Sequence, residues 1–121
     1  MSFLKAGSKG LEAEDFALSY LQAQGLKLIQ RNYLCRYGEI DLIMQEGAIV
    51  VFVEVRYRRN DRHGGAMESV DRRKQSRILT TASCFLKEKR HKGSSRFDVI
   101  ALSPADQGFE TRWLRDAFRV N

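Results

Sequence analysis

The stretch GEIDLIMQEGAIVVFVEVRYRR, from Gly38 to Arg59, narrows the possible folds more than any other part of the chain. Its halves, GEIDLIMQ and AIVVFVEV, are rich in β-branched residues and meet at a turn, which predicts a strongly hydrophobic β-hairpin. A two-residue turn of Gly47 and Ala48, with Gly first as a type II′ loop prefers, makes paired positions sum to 95. Glu46 then faces Ile49, Gln45 faces Val50, and Asp41 faces Glu54. Directly opposed side chains stand roughly 4.5–5.5 Å apart at Cβ, and like charges there are destabilising unless something positive lies between them. A bound cation is one resolution. The other is that the two acids sit at strand ends or pair with arginines as structural salt bridges. Period two also puts Arg56 on the face of Glu54, so the hairpin presents two carboxylates and a base on one side.

The flanking segments extend the hairpin into a domain. From about Lys9 to Gln24, Leu11, Glu14, Ala17, Leu18 and Leu21 recur at helical spacing, and Gly25 is placed to stop that helix. LKLIQRNY is a short, partly apolar strand between the helix and the hairpin. A loop containing Asn60, Asp61, Gly64 and Gly65 leads to a second helix with Ile78, Leu79, Ala82, Phe85 and Leu86 at spacings of three and four, ending before HKGSS. RFDVIALS is a fourth strand. The tail GFETRWLRDAF alternates in its first half and is open between an edge strand and a short terminal helix. The order αβββαβ predicts an α/β sandwich with helices covering a mixed sheet.

At 121 residues the chain suits one domain, 1–121, with one modest core. With 43% apolar and 30% charged residues and a single proline, it reads as globular. The opening MSFLKAGSKG lacks an apolar stretch of signal-peptide length and AIVVFV is too short to span a bilayer, so a cytoplasmic protein is expected. Cys35 and Cys84 make no metal-ligand pattern and are expected to be reduced packing residues. The net charge of +6 is regional: between Arg56 and Lys92 stand twelve Lys/Arg against four Asp/Glu, leaving the remainder at −2. A concentrated positive surface attracts a polyanion and releases counterions from phosphates, which makes nucleic acid the leading partner. A solvated charged face is the plainer alternative. A membrane surface is a weaker third, because the apolar face of the second helix is needed for the core.

Other chemistries find little support. His63 and His91 are far apart and have no ligand-spaced neighbour for zinc, Ser94 and Ser95 lack a nucleophile-elbow context, and Gly64-Gly65 is too sparse for a phosphate-binding loop. Tyr37, Tyr57 and Trp113 could stack on unpaired bases, but aromatics in a small domain more often belong to its core or rim.

The pieces GSKGLEAEDFALSYLQAQG, RNYLCRYGEIDLIM, VFVEVRYRR, VDRRKQSRIL and RFDVIAL resemble, in order and spacing, the YraN-like family of small bacterial proteins. That family resembles the PD-(D/E)XK nuclease superfamily and is similar to archaeal Holliday junction resolvases. The match covers about residues 7–102, leaving 103–121 as a C-terminal extension. It implies a restriction-endonuclease-like αβββαβ core and a divalent-metal-dependent DNA endonuclease, active on branched DNA in repair or recombination. It further implies Mg²⁺ or Mn²⁺ held by Glu14, Asp41 and Glu54, with Arg56 and Gln75 completing the catalytic set. Arg58, Arg59, Arg72, Arg73, Lys74 and Arg77 would bind nucleic acid, Lys74 and Gln75 standing at the family's Lys-Gln pair. Related resolvases are dimers, which implies a homodimer, although no stretch marks an interface. Taken alone, Glu14 reads equally as a solvated acid in a first helical turn.

One position departs from the pattern. The family carries lysine two residues after the hairpin glutamate, and here that residue is Arg56. Arginine keeps the charge and can grip phosphate bidentately, but it is bulkier and does not deprotonate. The substitution leaves three readings open: a metal-dependent endonuclease, a non-cleaving nucleic-acid-binding module on a nuclease scaffold, and a basic interaction protein whose acidic cluster is structural.

Overall fold

The computed structural model describes residues 8–59 and 70–119. Its elements, in chain order, are α1 (Ser8–Ala23), β1 (Lys27–Cys35), β2 (Gly38–Glu46), β3 (Ile49–Tyr57), α2 (Arg72–Glu88), β4 (Ser95–Pro104) and β5 (Phe109–Phe118). The loop expected around Asn60, Asp61, Gly64 and Gly65 lies outside the described residues, as does His63. The five strands form one mixed sheet in the order β1-β2-β3-β4-β5, antiparallel throughout except for the parallel pair β3–β4, which is linked through α2. This is a mixed α/β fold consistent with a restriction-endonuclease-like core. The undecided tail is a strand: β5 pairs with β4 from Phe97↔Phe118 to Pro104↔Phe109 and adds Phe118 to the core.

The hairpin has the expected register. Gln45↔Val50, Met44↔Val51, Ile43↔Phe52 and Leu42↔Val53 are paired, and Gly47 adopts φ 59°, a backbone region glycine enters without steric cost. β3 is covered on both faces. Val51, Val53 and Val55 pack with Ala13, Ala17 and Leu21 of α1, while Val50 and Phe52 pack with Ile78, Ala82 and Phe85 of α2. The near-continuous apolar run of β3 follows from that double coverage.

In α1 the buried stripe is Ala13, Glu14, Ala17 and Leu21. Leu11, expected on the apolar face, is instead exposed, because it lies roughly 100° round the helix from the centre of that stripe. Two alanines on the contact line bring the helix axis close to β3 and carry Glu14 down against the sheet. α2 begins at Asp71, whose carboxylate accepts the Lys74 N–H at 3.0 Å and caps the helix.

The sheet is irregular near Asp41. In a regular strand residues i and i+2 share a face, yet Ile40 packs on the α2 side and Leu42 on the α1 side. The change of face occurs at Asp41. Across the ladder, between the pairs Arg31↔Leu42 and Tyr33↔Ile40, Asn32 sits at φ 50°, a left-handed conformation that asparagine tolerates better than most residues. Both strands therefore kink at one level, and Leu42↔Val53 is the last paired position between β2 and β3 on this side.

Candidate functional site

Where β2 parts from β3, the Val55 N–H loses its strand partner. The Asp41 carboxylate takes its place, accepting that N–H through Oδ2 at 2.8 Å. Asp41 is 2% exposed, so this is a buried acid satisfied in part by backbone. Glu54, one residue past the last hairpin pair, is 8% exposed, and its Oε2 stands 3.1 Å from Nη2 of Arg56. The two acids that register arithmetic sets opposite one another thus flank the point of separation. They are not themselves a ladder pair, contrary to the register arithmetic, and each has a positive or N–H partner of its own.

Glu14 reaches the same region from α1 and is 2% exposed. Its Oε1 accepts a hydrogen bond from Asn32 Nδ2 at 3.0 Å and lies 3.7 Å from the Arg31 guanidinium, which is itself bonded to Asp15 at 2.8 Å. The kink at Asn32 is what aims that amide at the helix. Neither Asn32 nor Arg31 is among the residues the sequence marks for the site. A signal is present nonetheless: if Arg36-Tyr37 forms the turn between β1 and β2, Asn32 falls opposite Asp41.

Arg56 separates two clefts. On the α1 side a cleft of about 260 Å³ is lined by Gly10, Ala13, Glu14, Val55, Tyr57 and Arg58. On the α2 side one of about 250 Å³ is lined by Gly38, Glu39, Glu54, Lys74, Arg77, Ile78 and Thr81. Arg56 borders both. Its Nε is buried and has no hydrogen-bond acceptor among the described residues, and the same is true of Nε of Arg31. Buried donors of this kind are rare in folded proteins and call for an explanation.

The expected basic residues divide by position. Lys74 and Arg77 line the α2-side cleft and Arg58 lines the α1-side one, while Arg59, Arg72 and Arg73 are exposed. Burial and then the neighbouring Arg56 and Arg58 charges hold the Lys74 ammonium below the usual lysine range, outweighing Asp71 and Glu54. Gln75 is placed differently. Its amide donates to the Val70 carbonyl at 2.9 Å, so here it fastens the start of α2. Three cations in the first turn of α2 also face the positive end of the helix dipole, an arrangement that costs stability.

Among the described residues, no three His, Cys, Asp or Glu side chains gather closely enough to hold a metal ion between them. Glu14, Asp41 and Glu54 are therefore not a closed three-carboxylate cage here. The donor chemistry nevertheless fits a hard, largely hydrated divalent ion, which needs only one or two carboxylates. His91 and Trp113 have structural partners: the His91 ring contacts the Ser94 carbonyl at 3.1 Å, and Trp113 donates to Asp98 at 2.9 Å.

Residues 13–102 match the model of a family described as the uncharacterised protein family UPF0102. The chain belongs to the UPF0102 family. This is the YraN-like family that the motifs resemble. A UPF0102 protein of Methylococcus capsulatus, MCA0184, is 54% identical over 111 residues, covering 92% of this chain and 90% of its own. A UPF0102 protein of Halorhodospira halophila is 51% identical over 111 residues, covering 92% and 87%. One from Pseudomonas syringae is 51% identical over 112 residues, covering 90% and 91%. The matched segment of this UPF0102 chain runs from α1 through β4 and so contains Glu14, Asp41, Glu54, Arg56 and Lys74. Among its described residues no helix is long and apolar enough to cross a membrane.

Proposed function

We propose that this UPF0102 protein binds nucleic acid and hydrolyses phosphodiester bonds with the help of a divalent metal ion, as members of the PD-(D/E)XK superfamily do. The observation that carries the reading is Arg56. Its Nη2 pairs with Glu54, and its buried Nε has no acceptor among the described residues, beside a cleft that Lys74 and Arg77 also line. A phosphate entering the cleft that Arg56 borders is a natural partner for its guanidinium, which forms strong charge-assisted pairs with phosphate oxygens. The cations at the start of α2 fit the same ligand, because phosphate offsets the cost of placing them at the positive helix end.

Asp41 and Glu54 would hold the Mg²⁺ or Mn²⁺ ion, with Glu14 held by Asn32 at the α1 side of the same notch. Such an ion supplies Lewis-acid polarisation of the phosphodiester and a more acidic bound water. The protein's own groups do the rest. Arg56 neutralises charge that builds on the phosphoryl oxygens, and it cannot exchange a proton. Lys74 can, because its ammonium is already destabilised by burial and two arginines. It supplies from α2 the proton-transferring amine that β3 lacks. Arg58, Arg59, Arg72, Arg73 and Arg77 hold the flanking backbone of DNA, the branched forms included, and a homodimer would present two such sites.

The test is incubation of purified protein with linear, flapped and four-way DNA in Mg²⁺ and in Mn²⁺, beside Asp41→Asn, Glu54→Gln and Arg56→Lys variants. Cleavage by the wild type that is lost in Asp41→Asn supports the reading. Absence of cleavage by both wild type and Arg56→Lys, with no Asp41-dependent binding of divalent ions in calorimetry, sinks it. A second reading, binding without cleavage, is favoured by one observation: among the described residues the carboxylates do not close into a three-ligand group. Cleavage by Arg56→Lys alone would establish that one.

A further inference from the structure

Cys35 ends β1 and Cys84 lies in the fourth turn of α2, forty-nine positions apart in sequence. The fold brings them to one junction: both pack against the same apolar cluster between the sheet and α2, and Gly38, the strand partner of Cys35, abuts α2 at Thr81. Both cysteines are free and partly exposed. Cys35 Sγ also accepts the Tyr37 N–H at 3.4 Å. The junction is crowded: a Cβ at Gly38 would come within 3.1 Å of the Thr81 hydroxyl. Gly38 and Thr81, one turn before Cys84, both line the α2-side cleft.

The two sulfurs are not equivalent. Burial alone would raise the Cys35 thiol, but the N–H groups of Tyr37 and Gly38 and the Cys84 thiol outweigh it and hold Cys35 below the usual cysteine range. Burial pushes Cys84 up, and so do the neighbouring Cys35 and the nearby Glu88 carboxylate. The backbone N–H donated to the Cys35 sulfur stabilises a thiolate there, which suits Cys35 to attack and Cys84 to resolve, the arrangement in which a dithiol responds to oxidants.

We propose that Cys35 and Cys84 are a peroxide-reactive thiol pair that closes into a reversible disulfide, tying the end of β1 to α2 beside the cleft. The Cys35 thiolate attacks one oxygen of a hydroperoxide; an S–O bond forms, the O–O bond breaks, and water or an alcohol leaves after taking up a proton. The Cys84 sulfur then attacks the resulting sulfenic acid. An S–S bond forms, the S–O bond breaks, and hydroxide leaves as water with the Cys84 proton. The peroxide gains two electrons and the two thiols lose them. An external dithiol reverses the change by exchange. Nothing in this step depends on the proposed phosphodiester chemistry.

The test treats the full chain with one equivalent of hydrogen peroxide and counts thiols by alkylation and mass spectrometry. Two thiols should disappear together, the intact mass should fall by two hydrogens, and a peptide linking 35 to 84 within one chain should appear and vanish on reduction with dithiothreitol. Cys84→Ser should stop at a dimedone-trappable sulfenic acid on Cys35. Cys35→Ser should consume peroxide at least about tenfold more slowly than the wild type. Two alkylatable thiols after peroxide treatment would overturn the proposal. So would a disulfide joining two chains, or unchanged peroxide consumption by Cys35→Ser.

Discussion

The acid and arginine cluster around Asp98 and the one around Asp41 differ in how completely their polar atoms are used. In the first, Asp98 is fully buried and accepts from Arg96 Nε at 3.0 Å, from Trp113 Nε1 at 2.9 Å and from the Asp116 N–H at 2.9 Å. Arg96 and Arg115 both donate to Glu46 Oε1 at 2.6 Å, tying β2 to β4 and β5. Burial alone would make Arg96 easier to deprotonate, but Asp98 and Glu46 more than reverse it and raise its pKa. The second cluster, around Asp41, Glu54 and Arg56, leaves a buried guanidinium nitrogen without an acceptor among the described residues and crowds a lysine against arginines. A closed network holds strands together. An open one, maintained at a cost in stability, is suited to a ligand.

The sharpest way to break that contrast is Asp41→Asn. The amide oxygen still accepts the Val55 N–H, so the free energy of unfolding should hold to within about 1 kcal/mol, while any metal-dependent cleavage falls about a thousandfold, or about 4 kcal/mol. A collapse in thermal stability instead would class Asp41 with Asp98. The converse is Asp98→Ala, which strands buried Arg96 and should cost about 3–5 kcal/mol in chemical denaturation with unchanged nucleic-acid affinity per folded molecule.

Smaller effects sharpen the comparison further. Asn32→Gly keeps the backbone free to adopt φ 50° but removes the amide bound to Glu14, so calorimetry should show divalent-ion affinity weakened about tenfold. Neutralising Arg72 and Arg73 should weaken binding uniformly across sequences and reduce the salt slope by about 1 for each phosphate that is no longer neutralised. The closed cluster also sets an acid limit. The Arg96 hydrogen bond, ahead of burial and the other charges, holds the Glu46 pKa low. Its contribution is therefore complete above the unfolded glutamate value of about 4.3 and disappears as pH falls through the lower folded value. Glu46→Gln should flatten the acid limb of a stability–pH curve measured by denaturant titration.

The contrast also explains which parts of the molecule are legible in the sequence. The hairpin register and the helix–strand order are local, set by turn chemistry and by periodicity, and they agree with the structure from Leu42↔Val53 to Glu46↔Ile49. β5 is undecided from sequence because its alternation fails: the register shifts between Phe97 and Val99, and Asp116 turns through φ 53°. The burial of Glu14 is hidden by its alanine neighbours, since an acid beside small residues reads as an exposed face until the helix is seen against the sheet. The meeting of Cys35 with Cys84 joins a strand end to a helix, which no spacing rule anticipates. Gln75 has the family's residue type, but its hydrogen bond to Val70 belongs to the way α2 begins.

The parting of β2 from β3 bears on how this lineage can drift. Position 41 carries an obligation to the main chain, because whatever stands there must accept the Val55 N–H. A descendant that had lost every activity would still be held to aspartate or asparagine at that position by folding alone. Position 54 answers to Arg56, a side chain that can change along with it. Among divergent descendants, a change from aspartate to asparagine at 41, tolerated by the fold, would therefore mark lost chemistry as clearly as loss of the acid at 54.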